Sequence, residues 1–171
     1  MNAQDLILTP AGLRFRGRLI PCTHGRGGIR ADKREGDGAT PTGRHEIVGM
    51  LYRPDRIDGA TLPRWARPIR PFDLWCDAPD HPDYNQMVSA PFAASHERLR
   101  RADPMYDLIL VTDWNWPDAL PGAGSAIFLH QWRAPCRPTA GCVAFARRDL
   151  HWIARHLAEG SRLVVPEALA S

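Results

Sequence analysis

The sequence predicts a single, mainly β domain with one helix in its C-terminal region. Three observations point there. Short apolar or alternating runs recur from Leu6 to Val165, separated by Pro- and Gly-rich stretches. Residues 54–91 carry many prolines, which break helices and confine strands to edges and turns. Only one segment, near the C-terminus, repeats its apolar residues at a helical spacing.

The chain has 171 residues, one domain's length and long enough to bury a core without disulfides or metals. A hydrophobic fraction of 44% and a charged fraction of 24% exclude a disordered or fibrous chain. The net charge of +3 comes from 22 basic residues, all arginine except Lys33, against 19 acidic ones. A dedicated nucleic-acid binder would cluster its cations, so nucleic acid is not an expected partner. The apolar runs are too short for a transmembrane segment.

Element by element, Leu6-Ile7-Leu8 and Leu13-Arg14-Phe15-Arg16 read as a hairpin around Pro10-Ala11-Gly12. Residues 24–43 form a long polar loop, and a strand follows from about Arg44 to Arg53. The Pro-rich stretch keeps Trp65, Phe72, Trp75 and Tyr84, too aromatic for a linker, and reads as short strands and ordered loop. Residues 95–102 suggest one or two helical turns, with His96-Glu97 at a surface helix start. Leu108–Val111 and Ala126–Leu129 are apolar runs of strand length. Leu150, Ile153, Ala154 and Leu157 recur at i, i+3, i+4 and i+7, and Gly160 is expected as the C′ stop of that helix. Arg162–Val165 closes the domain as a strand before Pro166.

Reactive side chains concentrate between Gly124 and Phe145. His130 ends one apolar run and Cys142 follows Gly141 at the start of another. If the two strands pair, the imidazole comes beside the thiol, and a base beside a thiol makes a nucleophile. Gly141 lets backbone approach a substrate, and the Cys142 amide with a neighbour would form an oxyanion hole. Spacing alone leaves other readings open, among them His24 with Cys22 and a buried, inert cysteine. The cysteines Cys22, Cys76, Cys136 and Cys142 form no C-x-x-C pair. A set of His130, Cys136 and Cys142 matches no usual zinc spacing, so no metal or cofactor is expected.

At these residues the chain resembles the L,D-transpeptidase catalytic domain family of the YkuD type, in its small stand-alone branch. Four strings carry the resemblance in order: Glu35–Gly43 with its Thr40-Pro41-Thr42-Gly43, Pro82–Asn85, Tyr106–Asn115, and Gly124–His130 followed by Thr139-Ala140-Gly141-Cys142-Val143-Ala144. The resemblance implies a β-sandwich or barrel-like fold and a cysteine acyltransferase acting on peptidoglycan stem peptides or muropeptides. Cys142 would attack the carbonyl of the L-centred third residue and release D-Ala, leaving a thioester. His130 would be the base that makes the thiolate and later the acid, oriented by the Gln131 carbonyl, with Gly141 and Cys142 amides holding the oxyanion. The family's commoner S/T-H-G-C motif has a second histidine where this chain has Ala140.

Arg133 and Arg137 are expected as carboxylate binders, and Tyr84, Asn85, Asn115 and Thr139 as further substrate contacts. Thr40–Gly43 reads as a turn entering a strand, and Cys136 as a bystander thiol. A reactive Cys142 is expected to outpace the other three cysteines toward thiol reagents and to form an adduct with a carbapenem. The N-terminus shows no charged region followed by an apolar stretch, which predicts a cytoplasmic protein, or a periplasmic one if a leader has been removed. A cytoplasmic site favours water as the acyl acceptor, hence an L,D-carboxypeptidase of wall recycling. The alternatives are 3→3 cross-linking by transfer to an amine and a peptide-binding module without catalysis.

Overall fold

The computed structural model describes residues 4–170, so the expectation drawn from the first residues falls largely outside the described residues. In chain order the strands are β1 (Leu6–Thr9), β2 (Gly12–Phe15), β3 (Arg18–Ile20), β4 (Cys22–Thr23), β5 (Ile29–Arg30), β6 (Thr40–Pro41), β7 (Gly43–Tyr52), β8 (Arg67–Pro68), β9 (Asp73–Cys76), β10 (Met87–Ser89), β11 (His96–Arg98), β12 (Leu108–Thr112), β13 (Phe128–Gln131), β14 (Val143–Phe145) and β15 (Arg162–Val165). One α-helix, α1 (Arg147–His156), sits between β14 and β15.

The large sheet runs β3-β2-β1-β15-β7-β12-β13-β14-β4, with β8 against β7. Its two edges, β3 and β4, are consecutive in the chain and separated only by Pro21. A sheet whose edges are joined by one residue must curl back on itself, which gives a single, nearly closed barrel-like domain. A smaller sheet, β10-β9-β11, covers one flank. No helix among the described residues is long and apolar enough to cross a membrane.

The period-2 alternation of the central strands sorts side chains into two cores. Leu108 and Leu110 of β12 join Leu129, Val143 and Phe145 in the barrel interior, with Leu150, Ile153 and Ala154 of α1 packed on it. Ile109 and Val111 face the other way, into a cluster with Trp75, Leu99, Tyr106 and Phe128. Burial on both faces explains why Leu108–Val111 is a continuous apolar run.

Three expectations are corrected. Residues 96–98 are a strand, not a helical turn, because they pair antiparallel with β9. The run at Ala126 enters β13 only at Phe128, since Ala126 adopts φ +51°. The helix ends at His156 with Leu157 extended, and Gly160 (φ +77°) serves the next turn, where the Ser161 N–H reaches the Ala158 carbonyl.

Leu110 has no exposed surface and sits in the centre of the sheet. Leu110→Ala is expected to cost about 2–5 kcal/mol, read as a lower urea midpoint at unchanged slope.

Candidate active site

The same alternation that sorts the core builds the site. β13 and β14 pair in parallel, with Leu129 opposite Val143 and His130 opposite Ala144. Val143 and Phe145 point into the barrel, so Cys142 shares the outer face of β14 with Ala144. His130 shares the outer face of β13 with Phe128. Cys142 therefore lies one strand across and two residues back from His130, roughly 8 Å between Cα atoms from standard strand spacing. That is within the joint reach of a thiol and an imidazole, and both side chains line one cleft of about 580 Å³.

The thiol is held on two sides. The Phe128 N–H donates to Sγ at 3.4 Å, and the S–H donates to the Ala126 carbonyl at 3.1 Å. Burial pushes the Cys142 thiol up to about 12, with the Phe128 N–H pulling the other way. Burial pulls His130 down to about 4, against the bond between Nδ1 and the Gln131 carbonyl at 2.8 Å. A carbonyl only accepts, so Nδ1 carries the hydrogen and Nε2 is the basic nitrogen. Burial of both groups favours their uncharged forms and so opposes a thiolate–imidazolium pair.

The loop before Cys142 has no regular structure and is fixed by hydroxyls. The Thr139 Oγ1 donates to the Cys142 carbonyl at 2.6 Å and accepts from Gly141 N–H at 3.1 Å. One of the two amides expected in the oxyanion hole is therefore already engaged. The Cys142 N–H has no backbone acceptor among the described residues. The Thr40 Oγ1 donates to the Gly141 carbonyl at 2.7 Å and accepts from Gly25 N–H at 2.9 Å. Gly141 has φ +141°, and a Cβ there would come within 2.9 Å of the Ala39 carbonyl oxygen.

Arg133 and Arg137 line the cleft with exposed side chains, and Thr139 lines it as well. The other predicted contacts lie elsewhere. Tyr84 and Asn85 are each 2% exposed. Tyr84 donates to Glu35 and accepts from Gly124 N–H, while Ser125 Oγ donates to the same carboxylate at 2.8 Å. The Asn85 Oδ1 accepts from Trp75 Nε1 and Ala126 N–H, both at 2.9 Å. Its Nδ2 donates to the Trp114 and Asn115 carbonyls. Asn115 is similarly spent on Leu120 and Gly124. These three side chains shape the loop behind Cys142 and do not line its cleft.

Tyr106, Glu97, Arg26 and Arg98 also line the cleft and were not expected there from the sequence. Tyr106 sets its ring edge-on to His130, centroids 5.4 Å apart, and its hydroxyl donates to Glu97 at 2.5 Å. Arg26 and Arg98 add positive charge to the rim. Only the fold brings them there, since Glu97 reaches the cleft through the β9–β11 pairing. Among the described residues no group of three or more His, Cys, Asp or Glu is placed to hold a metal.

The model of the L,D-transpeptidase catalytic domain family, the YkuD type, matches residues 6–165. No curated protein matches the chain, and no solved structure does.

Two outcomes follow from this geometry. Asn85→Ala would leave two buried donors, the Trp75 indole and the Ala126 N–H, and two half-buried carbonyls without partners, at about 1–3 kcal/mol for each buried group before water relieves some of them. A loss of about 3 kcal/mol or more in denaturant melts is expected, and wild-type stability would remove Asn85 from this role. Iodoacetamide should label exposed Cys136 before half-buried Cys142, the reverse of the order expected from the sequence. The labelling rate of Cys142, followed by peptide mass, should be slow at pH 7 and still rising above pH 9, because only the thiolate reacts. A plateau near neutrality would instead show a thiolate–imidazolium pair.

Proposed function

The chain belongs to the L,D-transpeptidase catalytic domain family, whose members act on peptidoglycan peptides, and from that premise we propose that Cys142 is its acylated nucleophile. The substrate is a tetrapeptide stem, cleaved between its L-centred third residue and D-Ala. The observation that carries the proposal is the shared cleft: Cys142 and His130 open onto it from adjacent strands, with the imidazole tautomer set by the Gln131 carbonyl.

The reaction starts from neutral groups. Substrate entry turns the S–H from the Ala126 carbonyl toward His130 Nε2. As Sγ attacks the third residue's carbonyl carbon, the thiol proton passes to Nε2, and the resulting oxyanion takes the Cys142 N–H. Collapse breaks the C–N bond, and the imidazolium returns its proton to the D-Ala nitrogen. D-Ala leaves as a neutral amine and a thioester remains on Cys142. Water then gives a tripeptide and restores the thiol, which is L,D-carboxypeptidase activity. An amine from a second stem gives a 3→3 cross-link, which is transpeptidation. The exposed Arg133 and Arg137 are suited to substrate carboxylates, because the planar guanidinium matches them bidentately.

Incubation with a disaccharide tetrapeptide, followed by mass spectrometry, tests this. A tripeptide product reports hydrolysis and a dimer reports transfer. Cys142→Ala should abolish both, and His130→Ala should lower the rate by about 10²–10⁴-fold. Unchanged substrate with the wild-type protein would overturn the proposal.

A further inference from the structure

The cleft holds one carboxylate among several arginines, and its bonding is unusual for that setting. Glu97 sits on β11 and lines the cleft with Cys142 and His130. Arg26, Arg98, Arg133 and Arg137 share that cleft, yet Glu97 pairs with none of them. Arg101, also at the cleft, is committed bidentately to Asp103 at 3.0 and 2.7 Å. The hydrogen bond that orients Glu97 comes instead from neutral Tyr106. The same tyrosine is 4% exposed, packs edge-on against His130 and belongs to the core cluster on which Cys142 rests.

A carboxylate bonded to a neutral donor has no cation to offset it, and at half-burial it is screened less than on open surface. In the same cleft as the sulfur, it disfavours the thiolate, and its charge is among the influences that raise Cys142. It is therefore poorly placed to help the first half of the reaction. Its charge suits a cation that arrives later. The family's commoner histidine before the Gly-Cys pair is Ala140 here, so position 140 offers no side chain for that purpose.

We propose that Glu97, oriented by Tyr106, is the acceptor-binding residue of the cleft: it holds the ammonium group of the amine that resolves the acyl-enzyme. The inference rests on the Cys142 thioester reading and adds a preference for amine over water. One proton of the ammonium passes through Glu97 to solvent. The neutral nitrogen then attacks the thioester carbonyl, a C–N bond forms and the C–S bond breaks. The second proton passes from that nitrogen through His130 to the departing Sγ. The products are an amide, the free thiol and one released proton.

The test compares wild type with Glu97→Gln, which keeps an acceptor oxygen for Tyr106 and the side-chain volume while removing the charge. Two acceptors compete with water for the acyl-enzyme made from a tetrapeptide donor. One is the cationic amine of a second stem, the other is hydroxylamine, which is neutral at pH 7. Thioester formation in the first turnover, followed by intact mass, should hold or rise in the variant, because the charge removed disfavours the thiolate. Partition to the stem amine should fall at least tenfold, about 1.4 kcal/mol, while partition to hydroxylamine stays put. Tyr106→Phe should shift partition the same way by less. Equal loss with both acceptors, or unchanged partition, would overturn the role of Glu97, as would a wild-type protein that forms the thioester and passes it only to water. Absence of any thioester in the wild type would instead remove the reading beneath it.

Discussion

The site depends on one buried hydroxyl. Thr40 is fully buried and bridges Gly25 N–H to the Gly141 carbonyl. Those two backbone groups lie just beyond the two-residue β4–β14 pairing, in segments that also meet in an isolated bridge between Gly25 and Thr139. Around this bridge, Thr139 N–H reaches the His24 carbonyl at 3.0 Å and Arg26 N–H reaches the Thr139 carbonyl at 2.9 Å. The loop that precedes Cys142 is thus stitched to the polar loop 24–43. A net contribution near 1 kcal/mol per bond is small. The cost of leaving a buried carbonyl or N–H without a partner is larger, and it makes the arrangement singular. Gly141 follows from the same closeness, because any Cβ would meet the Ala39 carbonyl.

Electrostatics then follows from packing. The strand that carries His130 lies against aromatic rings, Phe128 meeting Trp75 at 5.0 Å and Tyr106 at 6.2 Å. Removing water from an imidazole and a thiol together favours the state in which neither is charged. Burial alone therefore weighs against charge on either side chain. The arginines and Glu97 stay at the rim, where charges remain partly hydrated and act on ligands.

Much of the barrel was legible because its strands obey simple periods. The doubly buried β12 and the amphipathic α1 stand out from apolar spacing, and the Cys–His pairing follows once two apolar runs lie side by side. What escaped were features set by distant partners. β11 is three polar residues, His96-Glu97-Arg98, whose strand state exists only because β9 lies beside them. Asn85 carries the donors and acceptors that peptide recognition uses, but four partners from residues 75 to 126 consume them. Thr40 looks like turn chemistry until Gly141, 101 residues away, is seen beside it.

The loop between His130 and Cys142, residues 132–141, is consistent with this division of labour. His130 and Cys142 take their relation from the β13–β14 register, and Phe128 bonds the sulfur directly across that pair. The loop itself only has to cover the distance between two parallel neighbours, and its two ends are already secured. Trp132 N–H returns to the Phe145 carbonyl at 2.9 Å, and Thr139 is tied to His24. Residues 133–138 are exposed between those anchors. A change there meets the cleft's contents before it meets the strands that carry His130 and Cys142. A loop that is short and arginine-bearing changes the charge a ligand meets, while the register beneath it keeps the sulfur and imidazole in place.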